Sequence, residues 1–529
     1  MSKFFIGVDV GSGSARAGVF DALGKKLGMA VSPIKQFRPK VGHVEQSSAD
    51  IWSQVCFVVK GAIAQSQVKP KDIIGIGFDA TCSLVALDSE NQPISVSINK
   101  KNEHNIVMWM DHRAIQEAKE INLTDDLALK YVGGEVSPEM ELPKILWLKK
   151  NLPEQYRKIS SFFDLADFLV FTATGNPIRS VCTKSCKWNY LAHEGQWAKS
   201  LLETINLNDI IEDGKVAGPI YDLGVPAGHL TEHSASQLGL TINTVVSTGI
   251  IDAHAGGLAI IGDDPKSTLA IIAGTSSCHM AVAKKEVFVP GIWGPYFGAM
   301  LPNYWLLEGG QSATGALVDH VIQSSSEYSL LKHQATLEER TVYEILNEKV
   351  AELEVVEPLL MSNFHMLGYH HGNRSPRANP TLKGMVTGLS LNENIDELAI
   401  HYLAAIQSVA YGTRHIIETM AEGGHHITQI NMCGGITKNP LWLREHADIT
   451  GCNVMLSEEP EAVILGAAML GATASGAYPT LSDAIKNMAN EGQRILPNQN
   501  KASFHQAKYR VFLEMYEDQM KYREMMSHL

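Results

Sequence analysis

Apolar residues along this chain come in two rhythms, and an element begins or ends where one gives way to the other. Residues 4–10 (FFIGVDV) form an apolar run with Asp9 near its close. Gly11-Ser12-Gly13-Ser14-Ala15-Arg16 interrupts the run, and residues 17–21 (AGVFD) resume it. Run, small-residue turn and second run predict a β-hairpin whose turn presents backbone N–H groups and hydroxyls. Residues 269–273, Gly274-Thr275-Ser276-Ser277 and residues 279–283 repeat the design. Two such hairpins far apart predict two related domains facing each other. A length of 529 residues also exceeds what one core usually organises. The division is placed at residues 1–262 and 263–529.

Between the hairpins the period switches repeatedly. Ser47-Ser48-Ala49-Asp50 is a helix start, followed at helical spacing by Ile51, Trp52, Val55, Val58, Val59, Ala62 and Ile63. Residues 73–79 (IIGIGFD) predict a buried strand. Residues 142–150 and 164–172 predict helices, the second stopped by Gly175 and Pro177. Residues 396–421 give a long helix, and residues 430–433 a short strand before Gly434-Gly435. Residues 504–526 carry Tyr509, Phe512, Tyr516, Met520 and Met525 on one face, a stripe for packing against the body or against a second copy, so a homodimer stays open. The alternation predicts an α/β protein with mixed sheets.

Composition changes this picture little: 45% hydrophobic and 19% charged residues suit a globular protein. Charge narrows the partners. Asp and Glu outnumber Lys and Arg by 57 to 44, a formal −13, whereas nucleic acid or an anionic membrane calls for a basic face. Neither is expected as a partner. The start of the sequence enters a strand-like run with no apolar signal region, and no apolar stretch is long enough to span a bilayer, so a cytoplasmic protein is expected. Seven scattered cysteines read as reduced thiols. Cys182 and Cys186 form a C-x-x-x-C, but no second pair with zinc spacing accompanies them.

The chemistry sits in the turns. No G-x-x-x-x-G-K-[ST] loop and no G-x-G-x-x-G occurs. Instead Asp9 precedes the first turn, where a carboxylate can hold hydrated Mg²⁺ while turn N–H groups meet phosphate oxygens. Gly274-Thr275 repeats the arrangement, and a triphosphate held between two domains needs a grip from each. Gly434-Gly435-Ile436-Thr437-Lys438-Asn439-Pro440 permits close approach to a planar base, with Pro440 suited to a helix's first turn. Asp252 lies among small and apolar residues (GIIDAHAGG). It is either a helix cap or a base held dry near its substrate, and the residues alone leave both open.

Several further segments fall in a telling order. They are His43-Val44-Glu45-Gln46 followed by Trp52, Trp109-Met110-Asp111-His112-Arg113, Lys144-Ile145-Leu146-Trp147-Leu148, residues 167–175, and Glu308-Gly309-Gly310-Gln311-Ser312-Ala313-Thr314-Gly315. With the turns above they resemble the FGGY family of carbohydrate kinases over nearly the whole chain. The resemblance implies an α/β, two-domain actin-like, ribonuclease-H-like ATPase fold with a central interdomain cleft. It implies a sugar-binding N-terminal domain, a nucleotide-binding C-terminal domain, and ATP and Mg²⁺ as cofactors. Asp252 matches the family's catalytic base and Asp9 its metal-organising carboxylate, with Asp252 also near the metal. Gly13, Ser14, Arg16, Gly274, Thr275 and Gly315 would lie along the phosphates, and Gly435 and Asn439 would border the adenosine.

Within the family the ribulokinase branch is the nearest likeness. Phe78-Asp79-Ala80-Thr81-Cys82-Ser83, Lys187, Glu308 and Gly372-Asn373-Arg374-Ser375-Pro376 are similar to that branch's sugar-site segments. This implies that Cys82, Asp111, Lys187, Asp252 and Glu308 contact a ketopentose. Glu141 departs from the branch's small or Pro residue, so the helix after it carries no functional expectation. The expected reaction is D-ribulose to D-ribulose 5-phosphate, with L-ribulose, D-xylulose or ribitol as alternative acceptors. A non-catalytic actin-like ATP-binding protein is the alternative of another class. The joint presence of Asp252, Lys187 and Glu308 argues against it.

Overall fold

The computed structural model describes residues 3–527 and divides into two compact units. The first comprises Met1–Pro265, Ala281–Leu307 and Glu461–Asn490. Its main sheet runs, in order, Pro226–His229, Val245–Ser247, Ile73–Ala80, Phe4–Val10, Ser14–Asp21 and Lys26–Pro33, with Ile250–Ile251 also pairing with Ile73–Ala80. The first hairpin forms as its pattern predicts, with Asp9 opposite Arg16 and Val10 opposite Ala15.

Alternation along these strands assigns their faces. Ile6, Val8 and Val10 point into an apolar cluster with Ile51, Val55, Val58 and Val59 of the helix Ser48–Ser66. That helix starts where the cap signal lies, with the Ser47 side chain accepting from the Asp50 N–H. The other face is a row of glycines. A Cβ on Gly7, Gly75 or Gly77 would stand 1.7, 2.2 or 1.9 Å from a backbone oxygen of the helix Ala462–Ala474. Sheet and helix therefore meet backbone to backbone, which no residue with a side chain permits. Asp9 and Asp79 share the parity of these glycines and end their row.

The second unit comprises Lys266–Met280, Glu308–Pro460 and Glu491–Leu529. The second sheet includes, in order, Trp305–Gln311, Ser277–Ala283, Thr268–Ala273, Gln429–Cys433, Asn453–Ser457 and Glu491–Ile495. Thr268–Ala273 and Ser277–Ala283 form the second expected hairpin. The long helix is Ile395–Glu422, buried along most of its length. The apolar stripe near the end of the chain belongs to the helix Ala502–Ser527. Its Tyr509 and Phe512 pack with Leu367, Tyr369, Tyr411 and Ile449 of the same unit, Tyr516 and Met520 lie against that cluster, and Met525 is exposed. No described helix is long and apolar enough to cross a membrane.

Candidate active site

Parallel pairing gathers three carboxylates at the carboxyl ends of adjacent strands of the first unit. Phe4–Val10 and Ile73–Ala80 run in parallel with Asp9 beside Asp79, and Ile250 sits beside Asp79 in the next strand. The chain then turns directly into the helix Asp252–Ile260, so Asp252 is its first residue. Strand spacing of about 4.8 Å holds such neighbours within reach of one small ligand. The Asp252 Oδ1 accepts its neighbour Ala253's N–H at 2.7 Å. Burial, then the Asp9 charge, lifts the Asp252 pKa from 3.8 to about 6, opposed by that N–H, His254 and Lys187. Burial and the Asp9 and Asp252 charges push the Asp79 pKa well above the ordinary carboxylate range.

Arg16 Nε donates to Asp9 Oδ2 at 2.7 Å, and its Nη1 lies 3.2 Å from Glu461 Oε2. Burial alone would lower the Arg16 pKa, but Asp9 and Glu461 outweigh it and raise it. Asp9 Oδ1 stays buried without a hydrogen bond, as do both Asp79 oxygens. This hard-oxygen set fits Mg²⁺, which takes one or two carboxylates and fills its other positions with water and phosphate oxygens.

The turn after Asp9 is braced from behind. Ser12 O accepts from Gln36 Nε2 at 2.8 Å and Gln46 Nε2 at 3.3 Å, and Ser12 Oγ accepts from Trp109 Nε1 at 2.9 Å. Gly13 is exposed, and a Cβ there would meet nothing within 4 Å. Ser14 opens the following strand, its carbonyl accepting the Gly11 N–H.

Asp111, expected to touch the sugar, is engaged elsewhere. Its Oδ1 accepts from Arg113 N and Nε, and its Oδ2 from Arg113 Nη2 and Val44 N, at 2.6–2.9 Å. These four bonds fill a carboxylate's capacity. Arg113 also donates to Glu45 at 2.9 Å, and Glu45 meets His104 Nδ1 at 3.0 Å. The V-E-Q and W-x-D-x-R segments thus join into one buried network beside the turn at residues 11–14.

Cys82 is buried, and burial pushes its thiol up to about 12. The charges acting on it are Lys187, Lys144, Asp164 and Glu141, which defines a polar interior that sequence reasoning missed. Glu141 and Lys144 are fully buried and 3.5 Å apart, one turn apart on the helix Glu141–Asn151. Neither Glu141 oxygen nor either Asp164 oxygen has a hydrogen bond. Burial lifts Glu141 to about 7 against the pull of Lys144, Lys184 and Lys187. Lys184 pairs with Asp167 at 3.1 Å and lies 3.8 Å from the Trp188 ring centre. The available signal was Glu141 and Lys144 at i and i+3 next to the apolar run at residues 145–148, which puts both charges on one face of the helix. Lys187 ends the helix Val181–Lys187, within the charge range of Cys82, Glu141 and Asp252.

In the second unit, the Gly274–Ser276 turn is laced to the start of the helix Gly315–Gln323. Thr314 N donates to Thr275 O, Thr314 Oγ1 to Gly274 O at 2.9 Å, and Gly315 N to Gly274 O at 3.1 Å. A Cβ on Gly315 would lie 2.8 Å from that same carbonyl. Gly435 is exposed with open space where a Cβ would be. Asn439 caps the helix Pro440–Thr450 through Leu441 N, donates to Tyr402 Oη at 2.7 Å and accepts from Asn347 Nδ2. Glu308 is buried in Trp305–Gln311. Two residues on, Gly310 admits Arg374, whose Cδ would be 3.0 Å from a Cβ there.

Residues 4–259 match the N-terminal domain and residues 269–475 the C-terminal domain of the FGGY family of carbohydrate kinases. An FGGY carbohydrate kinase domain-containing protein of Homo sapiens is 44% identical over 543 residues, covering 99% of this chain and 98% of that protein. A D-ribulokinase of Saccharomyces cerevisiae is 40% identical over 515 residues, 90% of this chain and 72% of that one. A ribulokinase of Bacillus licheniformis is 30% identical over 486 residues, covering 89% and 86%. Among solved structures, a xylulose kinase from Rhodospirillum rubrum shares the fold with a TM-score of 0.83 at 20% identity, over 98% of this chain and 99% of that one.

Proposed function

The chain belongs to the FGGY family of carbohydrate kinases, and from that premise we propose that it transfers the γ-phosphoryl group of ATP to D-ribulose, giving D-ribulose 5-phosphate. The single observation that carries the chemical part is Asp252. It is a carboxylate at the strand ends, with its pKa lifted to about 6 and carboxyl neighbours at Asp9 and Asp79. A base with that pKa is ionised at neutral pH yet basic enough to accept an alcohol's proton as the oxygen attacks phosphorus. The acceptor assignment rests on the named D-ribulokinase relative and on the polar interior around Cys82.

In this reading Asp252 takes the proton from the terminal C5 hydroxyl. Lys187 and the Glu141–Lys144 pair orient the remaining hydroxyls and carbonyl. Each buried polar atom left unpaired by a wrong stereoisomer disfavours that sugar. Asp9, with Asp79 and Asp252 nearby, would hold Mg²⁺, which when bound neutralises phosphate charge. In the first unit Gly13 and Ser14 offer N–H groups and a hydroxyl to phosphate oxygens; in the second the Gly274–Thr275 turn carries groups of the same kind, and Gly435 leaves room for a base. Arg16 orients Asp9 and adds positive charge. Asp111 sets Arg113 and, through that network, the back of the first turn. The compartment we assign is the cytoplasm.

An ADP-release screen over D-ribulose, L-ribulose, D-xylulose and ribitol tests the acceptor. A kcat/KM at least about tenfold higher for D-ribulose supports the proposal. Preference for another acceptor overturns the sugar, and ATP-driven polymerisation with no acceptor-dependent ADP overturns the kinase reading.

A further inference from the structure

Beside the acceptor residues lies a second cluster, made of different donors. Cys182 and Cys186 stand one turn apart on the helix Val181–Lys187, and His254 projects from the helix Asp252–Ile260. All three are fully buried, and their donor atoms, two sulfurs and one imidazole nitrogen, lie within 4.8 Å of one another. Cys182 Sγ is 3.2 Å from His254 Nδ1. No other set of three His, Cys, Asp or Glu donors converges this tightly among the described residues. The spacing C-x-x-x-C hid the site, because its third member comes from another helix far along the chain.

We propose that Cys182, Cys186 and His254 bind one thiophilic divalent cation of the zinc class, in a site separate from the carboxylates that suit magnesium. Metal–sulfur bonds of about 2.3 Å and metal–nitrogen bonds of about 2.0 Å at a tetrahedral angle set sulfur and nitrogen about 3.5 Å apart. The Cys182–His254 pair needs to open by only a few tenths of an ångström. Two thiols and an imidazole favour zinc or cadmium over magnesium, and three protein ligands leave a fourth position for solvent. On binding, each thiol releases its proton to solvent and no electron is transferred. The consequence is mechanical: one cation ties the helix that ends in Lys187 to the helix that begins with Asp252. Burial of all three donors makes loading slow, governed by local opening of these helices.

The test is cobalt titration of the full-length, nucleotide-free protein after dialysis against a chelator. The expected result is one equivalent bound, with a near-ultraviolet thiolate-to-cobalt charge-transfer band that zinc abolishes. Cys182→Ser and Cys186→Ser each weaken zinc binding by at least about 100-fold, since removing a ligand exceeds the 10–100-fold effect of outer contacts. Cys56→Ser and Cys452→Ser bind as the parent does. Should either buried serine variant fail to fold, thiol alkylation of the parent protein followed by mass spectrometry reads the same site. Zinc then shields Cys182 and Cys186 selectively. Absence of the band at stoichiometric cobalt, its survival in both variants, or shielding of other cysteines instead overturns the proposal.

Discussion

Replacing Asp252 by Asn should slow catalysis by orders of magnitude and, at neutral pH, make the protein more stable. Folding lifts the Asp252 pKa from the ordinary 3.8 to about 6, so the folded chain holds this proton more tightly than the unfolded chain. The stabilisation is therefore fully present below pH 3.8 and is lost as pH rises through about 6. Above that, the ionised carboxylate is strained by burial and by Asp9. At about 1.36 kcal/mol per pH unit the whole effect is about 3 kcal/mol. The side chain keeps partial access to solvent, so about 1–3 kcal/mol is the figure to expect. Asn has the same shape, can still accept the Ala253 N–H and never ionises. Urea unfolding without ligands should show no advantage for Asp252→Asn near pH 4, an advantage that grows to about pH 6, and a plateau above it. The same preparation should lose about 10²- to 10⁴-fold in kcat. The parent enzyme's kcat/KM should fall as pH drops below about 6, where the base becomes protonated. A variant that turns over normally, or that is less stable than the parent at pH 8, would refute the assignment.

Gly13→Val places a side chain in open space, so stability should change by less than about 0.5 kcal/mol while KM for ATP rises at least about tenfold. An unchanged KM would remove the phosphates from that turn. Asp111→Asn disturbs a saturated buried ion pair and should lower stability by up to about 3–5 kcal/mol, with KM for the sugar moved less than about twofold. The opposite pattern would return Asp111 to the sugar. In the parent, KM for the sugar should change as pH crosses about 7, where Glu141 ionises, and Glu141→Gln should flatten that profile. Identical profiles would place Glu141 outside the sugar's surroundings.

Local pattern carried much of this fold. The Ser47 cap, the stops at Gly175, and both hairpins follow from interactions a few residues apart, so they were legible before any packing was known. Asp9 and Asp252 were marked as well, because each is a lone carboxylate among small or apolar residues. Asp79 was not singled out, although it lies in a quoted segment. Its importance comes from sitting beside Asp9 in a parallel sheet, and register between distant strands leaves no local trace. Glu141 and Lys144 were passed over because the helix departed from the resembled form, and only burial on a common face makes that departure informative. Asp111 shows the converse. Its neighbourhood was recognisable, but Arg113 and Val44 occupy the oxygens the sugar was expected to meet.

The row of glycines in the first sheet bears on how the newborn chain must fold. Gly7, Gly75 and Gly77 are translated well before the helix they receive, Ala462–Ala474. Until that helix emerges from the ribosome, the strands carrying Asp9 and Asp79 have one unclad side, too flat to be filled by ordinary side chains. Vectorial synthesis cannot complete the amino-terminal half first. A fragment ending near residue 265 would lack its own lid of backbone, and maturation of the acid-lined strand ends waits for residues 462–474.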